Sequence, residues 1–364
     1  MLVHKTAVAT CLGLVVLMFS GPAQAQYQLT NLVSNQLGQA PTIDPLLANP
    51  WGLARSAGGP WWISDNDTGW STLYNGTGTE SSLKVLIPTA GNGPTSPTGG
   101  NGPGQPTGIV FNGSSTDFQV WGRSAPFIFA TLDGTISAWA PGYNANESWI
   151  AVDNSANKAS YTGLAVTSYP SGNFLYAADT NNDVVDVYDS NFNWVKSFSD
   201  PSAPSTVSVF GIQDINGLVY LTYAVPGVGA GGLVDVFTED GTFVKTLIQG
   251  DILNQAWGVA AAPANFGPLS NTLLISNNAV EGTINAFDPI TGKFVGTVRD
   301  ERGRKIVLNN LWGVAFGGGT ANNGATNELF VTVGQGIGPN ELAGTFAKIV
   351  YKPGPALDMQ ASPR

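Results

Sequence analysis

One short pattern recurs six times along the chain and constrains its fold more than any other feature. A glycine follows an aromatic residue or threonine and precedes small and apolar residues. The six copies are WGLA at 51–54, TGIV at 107–110, TGLA at 162–165, FGIQ at 210–213, WGVA at 257–260 and WGVA at 312–315. Their starts are 56, 55, 48, 47 and 55 residues apart. A repeat of this length is typical of supersecondary units that stack on one another.

Each copy is followed by three more short runs rich in β-branched and aromatic residues, separated by Gly, Asn and Asp turns. The fifth unit shows this best, with WGVAAAP, NTLLISNN, GTINAFDP and KFVGTVRD. Such runs predict strands, and four strands per unit predict an all-β, six-bladed β-propeller whose small glycine lies where the blades converge. A pair of β-sandwiches is the alternative, and the regularity of the repeat favours the propeller.

The two ends of the repeat array complement each other. The sixth unit offers only three strands, whereas the run YQLTNLVS at 27–34 precedes the first unit and belongs to none. We predict that strand 27–34 closes the last blade, because pairing it there removes an open sheet edge. The expected organisation is one propeller over 26–351 and a flexible tail over 352–364.

The first 25 residues have the pattern of a cleaved signal peptide. Lys5 precedes an apolar run over 7–19, and an A-x-A site ends at Ala25. We therefore expect a secreted protein, periplasmic or extracellular. His4 and Cys11 are the only His and Cys, so the mature chain would lack disulfides, His or Cys metal sites and Ser-His-Asp catalysis.

The excess of acidic residues indicates which classes of partner the chain is suited to bind. The chain has 15 basic and 25 acidic residues, and only 11% of its residues are charged. This acidic, thinly charged composition argues against nucleic acid, which requires a basic surface. Beyond residue 25 no apolar run approaches the ~18 residues of a spanning helix. We expect a monomer without a membrane span.

Several longer motifs resemble a known group of proteins. They are NPWGLA at 49–54, PTGIVFN at 106–112, FIFATLDGTISAW at 127–139, LYAAD at 175–179, INAFDPITGKF at 284–294 and LWGVAFG at 311–317. The chain resembles the NHL-repeat and gluconolactonase-like six-bladed propellers. More closely, it resembles an uncharacterised family of secreted bacterial propellers often associated with PEP-CTERM sorting. The resemblance implies fold and export but no catalytic residues, and the end KPGPALDMQASPR lacks the hydrophobic segment of a sorting tail.

The resemblance also implies where a metal would lie. In gluconolactonase-like enzymes Glu, Asn and Asp at the starts of inner strands hold the ion. The equivalent residues here are Trp51, Thr107, Thr162, Phe210, Trp257 and Trp312. None is a carboxylate or amide, so a hard cation would lack its oxygen ligands. Asn49 and Asn310, two residues earlier, are the nearest substitutes.

Aromatic residues replace those ligands in four repeats. Trp51, Phe210, Trp257 and Trp312 would surround the mouth of the central channel, where they form a candidate surface for a sugar ring or an apolar ligand. The alternative is that they pack between neighbouring blades, which the general burial of large aromatics favours. Gly/Pro-rich loops at 89–104 and 226–232 are expected over the same face.

Two Asp-rich turns are weak Ca²⁺ candidates. Asp65 and Asp67 form one, and Asp179 and Asp183 the other, with oxygen ligands at alternate positions. Neither is followed by a bidentate Glu, and Asx residues are favoured in such turns for their geometry. Turn chemistry is the preferred interpretation, and we expect no other cofactor.

These observations favour a secreted, non-catalytic binding scaffold. Its channel mouth would recognise a glycan, a peptide or a cell-surface partner, because no reactive groups converge in the sequence. The alternative is a metal-dependent, lactonase-like hydrolase or lyase that uses acids such as Asp44, Asp65 or Asp179.

Overall fold

The computed structural model describes residues 26–90, 103–142, 144–169, 172–227, 229–335 and 342–353. The predicted signal peptide, the end of the tail and most of the 89–104 loop lie outside these ranges. The described helices are two short 3-10 turns, Ser155–Asn157 and Gly267–Leu269. Over the described ranges, no helix is long and apolar enough to cross a membrane.

The strands assemble into six blades around a central axis, which confirms the all-β propeller. Two strands precede blade 1, β1 (Gln26–Ser34) and β2 (Thr42–Ile43). Blade 1 contains β3 (Pro50–Arg55), β4 (Trp61–Asp65), β5 (Trp70–Tyr74) and β6 (Val85–Leu86). Blade 2 contains β7 (Pro106–Phe111), β10 (Phe127–Thr131), β11 (Thr135–Trp139) and β12 (Trp149–Asp153), and the short strands β8 (Gln119–Val120) and β9 (Arg123–Ser124) pair with each other between β7 and β10. Blades 3 and 4 contain β13 (Tyr161–Tyr169), β14 (Gly172–Asp179), β15 (Val184–Tyr188), β16 (Trp194–Phe198), β17 (Ser208–Ile215), β18 (Leu218–Ala224), β19 (Gly232–Thr238) and β20 (Phe243–Gln249). Blades 5 and 6 contain β21 (Ala256–Ala261), β22 (Leu273–Asn277), β23 (Ile284–Phe287), β24 (Phe294–Thr297), β25 (Leu311–Phe316), β26 (Glu328–Gln335) and β27 (Ala343–Lys352).

The chain ends meet in blade 6, as predicted. Its sheet has the order β2-β1-β27-β26-β25, so β1 supplies the fourth strand and the short β2 adds a fifth. β1 and β27 are antiparallel, with Gln26 opposite Lys352 and Ser34 opposite Thr345. The hydroxyl of Tyr27 on β1 donates to the carbonyl of Phe266 at 2.7 Å, which ties the closing strand to blade 5.

Every inner strand carries a one-residue β-bulge at the repeated glycine. In blade 5, Ala256 pairs with Asn277 and Val259 with Ile275, so the two residues Trp257-Gly258 oppose one residue of the next strand. The same shift occurs in the other five blades. A bulge bends the strand and re-aims one side chain, and in four blades the re-aimed side chain is an aromatic residue that points toward the axis.

A hydroxyl group lies at each bulge, and at four of the six it joins neighbouring blades. Where the bulge holds an aromatic residue, the opposite residue is a hydroxyl residue: Ser64, Thr222, Ser276 or Thr332. Where it holds Thr107 or Thr162, the opposite residue is Ala130 or Ala178. At four blade junctions this hydroxyl donates to a carbonyl of the next blade, through the pairs Thr107–Tyr161, Thr162–Phe210, Ser276–Trp312 and Thr332–Trp51.

The apolar core lies between the blades. Between blades 2 and 3, for example, Ile128 and Ile136 pack with Tyr161, Leu175 and Tyr188, and all five are buried. The close approach at the axis requires glycine in the bulge: a Cβ on Gly211 would lie 2.0 Å from the carbonyl oxygen of Trp257.

We expect Ser276→Ala to lower the free energy of unfolding by about 1–3 kcal/mol. The Ser276 hydroxyl accepts the Gly258 N–H at 2.8 Å and donates to the Trp312 carbonyl at 2.6 Å, so its loss leaves two buried backbone groups unpaired. The control is Ser137→Ala, which removes a buried hydroxyl that has no partner within the described structure. Urea denaturation should show a small change for the control, and equal losses in both variants would contradict the bulge interpretation.

Candidate functional site

Four aromatic rings from blades 1, 4, 5 and 6 meet on the axis. Trp51 and Trp312 stack with centroids 3.5 Å apart and planes at 17°. Trp257 stands edge-on to both at 6.2 and 5.8 Å, and Phe210 lies 6.3 Å from Trp51 and 5.8 Å from Trp312. The exposed fractions of the three Trp side chains are 7% for Trp51, 9% for Trp257 and 6% for Trp312. We call this cluster of four residues the aromatic plug.

The structure therefore places the predicted aromatics together, but not as either interpretation expected. The three Trp side chains are buried and Phe210 is partly buried, and all four pack against one another on the axis rather than between neighbouring blades. Their faces are largely covered by each other, so they do not offer an open stacking surface. Trp257 Nε1 donates to the carbonyl of Thr162 at 2.8 Å, and Trp312 Nε1 donates to Asn49 Oδ1 at 3.2 Å. These bonds hold the rings in place across the channel.

The channel is narrow below the plug. Apolar residues of all six inner strands leave about 50 Å³ of free space there. These residues are Leu53, Ile109, Leu164, Ile212, Val259 and Val314. The plug consequently closes the bottom of any pocket at the mouth.

A pocket of about 540 Å³ lies at the mouth, bordered by Trp51 and Trp312. We call it the mouth pocket. Besides the two Trp residues, most of its polar lining consists of amide side chains, from Asn49, Asn254, Gln255, Asn278 and Asn310. The remaining lining residues are Gly227, Gly229, Ala279, Val280 and Glu281. Five amide side chains and one carboxylate thus surround this space, and none of its lining residues within the described ranges is basic.

Three of these amides occupy one position of the repeat, two residues before the aromatic. Asn49, Gln255 and Asn310 all have left-handed backbone conformations, with φ of 44°, 53° and 51°. Asn is enriched in this conformation, which directs the chain into the bulge. The sequence singled out Asn49 and Asn310 and missed Gln255, although QAWG matches NPWG and NLWG in the alignment of repeats.

Two hydrogen-bond donors in the mouth pocket are buried without a partner among the described residues. They are Trp51 Nε1 and Asn278 Nδ2. A buried donor left unpaired costs about 1–3 kcal/mol, and such groups in native structures call for an explanation. Both donors belong to residues that line the mouth pocket, but the atoms themselves are almost inaccessible to solvent, so a ligand acceptor reaches them only if the side chains move. Asn254, Asn278 and Glu281 come from loops whose position the repeat pattern does not specify.

The predicted acidic residues are distributed differently. Asp67 reaches the mouth, where its Oδ1 accepts Asn49 Nδ2 at 3.2 Å. Asp65 is fully buried, and burial raises the pKa of its carboxyl well above the usual range. Asp44 is also buried and accepts the hydroxyl of Tyr74 at 2.9 Å and Nζ of Lys84 at 3.4 Å.

The second Asp-rich turn is held by its own backbone. Asp179 Oδ1 accepts the N–H groups of Ser160, Asn181 and Asn182 at 3.0–3.2 Å. Asp183 has φ of 56° and accepts the Val209 N–H at 2.9 Å. Across the described ranges, no three His, Cys, Asp or Glu residues lie close enough together to hold a metal ion. Ca²⁺ binding at either turn stays an untested prediction.

One buried acid away from the mouth has a strongly shifted pKa. Asp235 on β19 is fully buried in blade 4. Burial, together with the neighbouring carboxyl of Asp200, raises the pKa of Asp235 to about 7. The equivalent residue in blade 5 is Asn285, whose Oδ1 accepts the hydroxyl of Thr297 at 2.8 Å.

Comparisons with known proteins give relatives of unassigned function. No family model matches the chain. An uncharacterised protein of Acanthamoeba polyphaga mimivirus is 29% identical over 352 residues, which cover 91% of this chain and 84% of that protein. A second mimivirus protein, also uncharacterised, is 33% identical over 208 residues, or 52% of this chain and 38% of its own length.

Several solved structures share the fold. The PQQ-bound aldose sugar dehydrogenase of Streptomyces coelicolor has a TM-score of 0.52 at 12% identity, covering 90% of this chain and 99% of that one. A gluconolactonase of Xanthomonas campestris has a TM-score of 0.52 at 12% identity, covering 91% and 98%. Virginiamycin B lyase of Staphylococcus aureus has a TM-score of 0.51 at 12% identity, covering 90% and 99%. The gluconolactonase-like resemblance is thereby confirmed for the fold, whereas the secreted bacterial family stays a prediction.

We expect Trp312→Ala to lower the free energy of unfolding by about 3–5 kcal/mol, the usual cost of deleting a buried large aromatic. The substitution removes the stacked partner of Trp51 and the Nε1 bond to Asn49. Trp194→Ala is the control, because that side chain is 60% exposed and should cost under about 1 kcal/mol. A Trp312→Ala protein as stable as the wild type in urea would show that the plug is not part of the core.

We expect Asp235→Asn to flatten the dependence of stability on pH. With a pKa of about 7 when folded and about 4 when unfolded, the native state keeps a proton that the unfolded state loses. The free energy of unfolding of the wild type therefore falls as pH rises from about 4 to 7. Asp235→Asn removes this contribution and should be the more stable protein at pH 8.

The matched control for that experiment is Asp186→Asn, at the same position of blade 3. Asp186 accepts bonds from Ser197, Tyr161 and Asn154, and an amide cannot replace all of them. Asp186→Asn should therefore destabilise the protein at every pH. If Asp235→Asn were also destabilising at pH 8, the folded protein would stabilise the Asp235 carboxylate, and burial would not raise its pKa as described.

Proposed function

We propose that this protein is a secreted, non-catalytic binding propeller whose mouth pocket recognises a neutral carbohydrate. The observation that carries the proposal is the pair of unpartnered donors, Trp51 Nε1 and Asn278 Nδ2, in a pocket lined by amides. Export rests on the predicted signal peptide in residues 1–25.

The chemistry of the lining supports a polyhydroxylated ligand. Each amide has a donor and an acceptor, which matches the two roles of a sugar hydroxyl. Among the described residues no basic side chain lines the pocket, so an anionic ligand would meet no charge partner there. The volume of about 540 Å³ lies within the roughly 300–1,000 Å³ of small-ligand sites. The aromatic plug contributes a rigid floor and one indole N–H rather than a stacking face.

A metal-dependent, lactonase-like hydrolase or lyase is the alternative. It is favoured by the carboxylates at the mouth, since Glu281 lines the pocket and Asp67 contacts Asn49. Of the acids first considered, Asp44 and Asp179 are occupied by hydrogen bonds within the protein. The alternative requires a Ca²⁺- or Mg²⁺-dependent rise in melting temperature and turnover of glucono-δ-lactone.

We expect Asn278→Ala to weaken binding of a neutral glycan about tenfold, the effect of losing one well-placed hydrogen bond of about 1.4 kcal/mol. The probe is a microarray of neutral glycans, followed by calorimetry with the strongest binder. Gln119→Ala is the control, because Gln119 is an exposed amide on β8 outside the mouth pocket.

Three outcomes would contradict the proposal. Binding that is unchanged in Asn278→Ala excludes the mouth pocket as the site. Selective capture of peptides rather than glycans changes the ligand class. Metal-dependent turnover of the lactone, abolished by Glu281→Gln, replaces the binding function by the enzymatic alternative.

A further inference from the structure

A second cavity, larger than the mouth pocket, lies on the outer wall of the propeller between blades 2 and 3. This interblade groove has a volume of about 810 Å³ and shares no lining residue with the mouth pocket. Asn157 and Asn182 line one end, at the turns that precede β13 and β15, and Phe192 and Asn193 line the other, just before β16. The groove thus follows β15 and β16, whose five residues span roughly 17 Å.

An exposed indole forms one wall of the groove. Trp194 is 60% exposed, and its Nε1 donates to Ser197 Oγ at 3.3 Å. Ser197 Oγ in turn donates to Asp186 Oδ1 at 2.6 Å, and Asp186 is buried. The ring is therefore held in position by a hydrogen-bond chain anchored in the blade. A side chain ordered before binding loses less entropy when a ligand arrives.

The carboxylates of the groove are already occupied by protein donors. Asp186 Oδ2 accepts the hydroxyl of Tyr161 at 2.9 Å and Nδ2 of Asn154 at 3.3 Å. Asp179 accepts backbone N–H groups of its own turn and Nδ2 of Asn182. These acids orient the lining and have little capacity left for a cationic ligand.

Three amides provide the remaining polar contacts. The Nδ2 groups of Asn157, Asn182 and Asn193 donate to Asn154, Asp179 and Asp189 respectively. Among the described residues, nothing donates to their Oδ1 atoms, which leaves three oriented acceptors along the groove. Uncharged acceptors beside an exposed aromatic face suit a molecule that has hydroxyl donors and an apolar C–H face.

We propose that the interblade groove binds a neutral, linear carbohydrate chain. One sugar ring lies against Trp194, and hydroxyls along the chain donate to the amide oxygens. The elongated shape fits an extended chain, whereas the mouth pocket is a compact depression over the plug. The site is independent of the function proposed for the mouth.

The repeat provides matched controls. Phe243 and Phe294 occupy the position of Trp194 in blades 4 and 5, and they are 38% and 43% exposed. Each packs edge-on against a ring of the preceding strand, Phe237 at 5.6 Å and Phe287 at 5.8 Å. Neither lines the interblade groove.

The experiment measures binding of cellohexaose, chitohexaose, laminarihexaose and β-1,4-mannohexaose to the purified protein by calorimetry and saturation-transfer NMR. At least one hexasaccharide should bind. Trp194→Ala should weaken it tenfold or more and Ser197→Ala about threefold, while Phe243→Ala leaves the affinity unchanged. Thermal melting of each variant verifies that it is folded.

Either of two results would overturn the proposal: none of the four hexasaccharides binds, or Trp194→Ala behaves as Phe243→Ala does. Asn278→Ala distinguishes the two sites. Binding lost in Trp194→Ala but kept in Asn278→Ala supports the groove. Binding lost in Asn278→Ala but kept in Trp194→Ala overturns the groove and leaves the mouth proposal standing.

Discussion

The one-residue bulge at the start of each inner strand is the constraint on which the rest of this propeller depends. It lets a glycine approach the next blade closely, and it brings a hydroxyl to the junction. Gly211, for example, has no room for a side chain against the backbone of Trp257. In two blades the bulge holds Thr, which supplies the hydroxyl, and the residue opposite on the second strand is Ala. In the blades with an aromatic bulge residue, the second strand supplies the hydroxyl instead. Each bulge therefore has a single hydroxyl. Hydrogen bonds from these hydroxyls to backbone carbonyls thus join neighbouring blades, in addition to the apolar packing between the blades.

The same bulge determines what the channel can do. In four of the six blades the residue before the glycine is aromatic, and these four side chains are large enough to meet on the axis, so they close the channel. The residue two positions earlier, in a left-handed conformation at Asn49, Gln255 and Asn310, then faces the mouth. One local backbone feature therefore produces both the floor and part of the polar rim of the mouth pocket.

Much of the fold was accessible from the sequence because the repeat is regular. The spacing of the Gly-containing motifs predicts the number of blades, and the surplus strand before the first unit predicts the closure with β27. The residues of the candidate site were harder to predict from the sequence. The four aromatics were identified by their position before the repeated glycine. Whether they pack between blades or on the axis depends on the bulge, which is a shift in register between the first and second strands of a blade. The sequence of one strand does not show such a shift. Gln255 was missed because only an alignment of the repeats, read two residues upstream, makes it equivalent to Asn49 and Asn310.

The interblade groove could not be predicted from the sequence. The motif at β16 looks equivalent to those at β20 and β24, since all three place an aromatic and a valine on an exposed outer strand. What distinguishes β16 is the indole of Trp194, whose Nε1 bonds Ser197 Oγ, together with residues up to 43 positions away that line the same space. By itself the sequence determined the all-β class, the six blades and the closure by the chain ends, because these follow from local strand pattern and repeat length. Only the tertiary structure decided where the aromatics point, which amides share a pocket and which exposed tryptophan stands over a groove, because these depend on strand register and on contacts between blades.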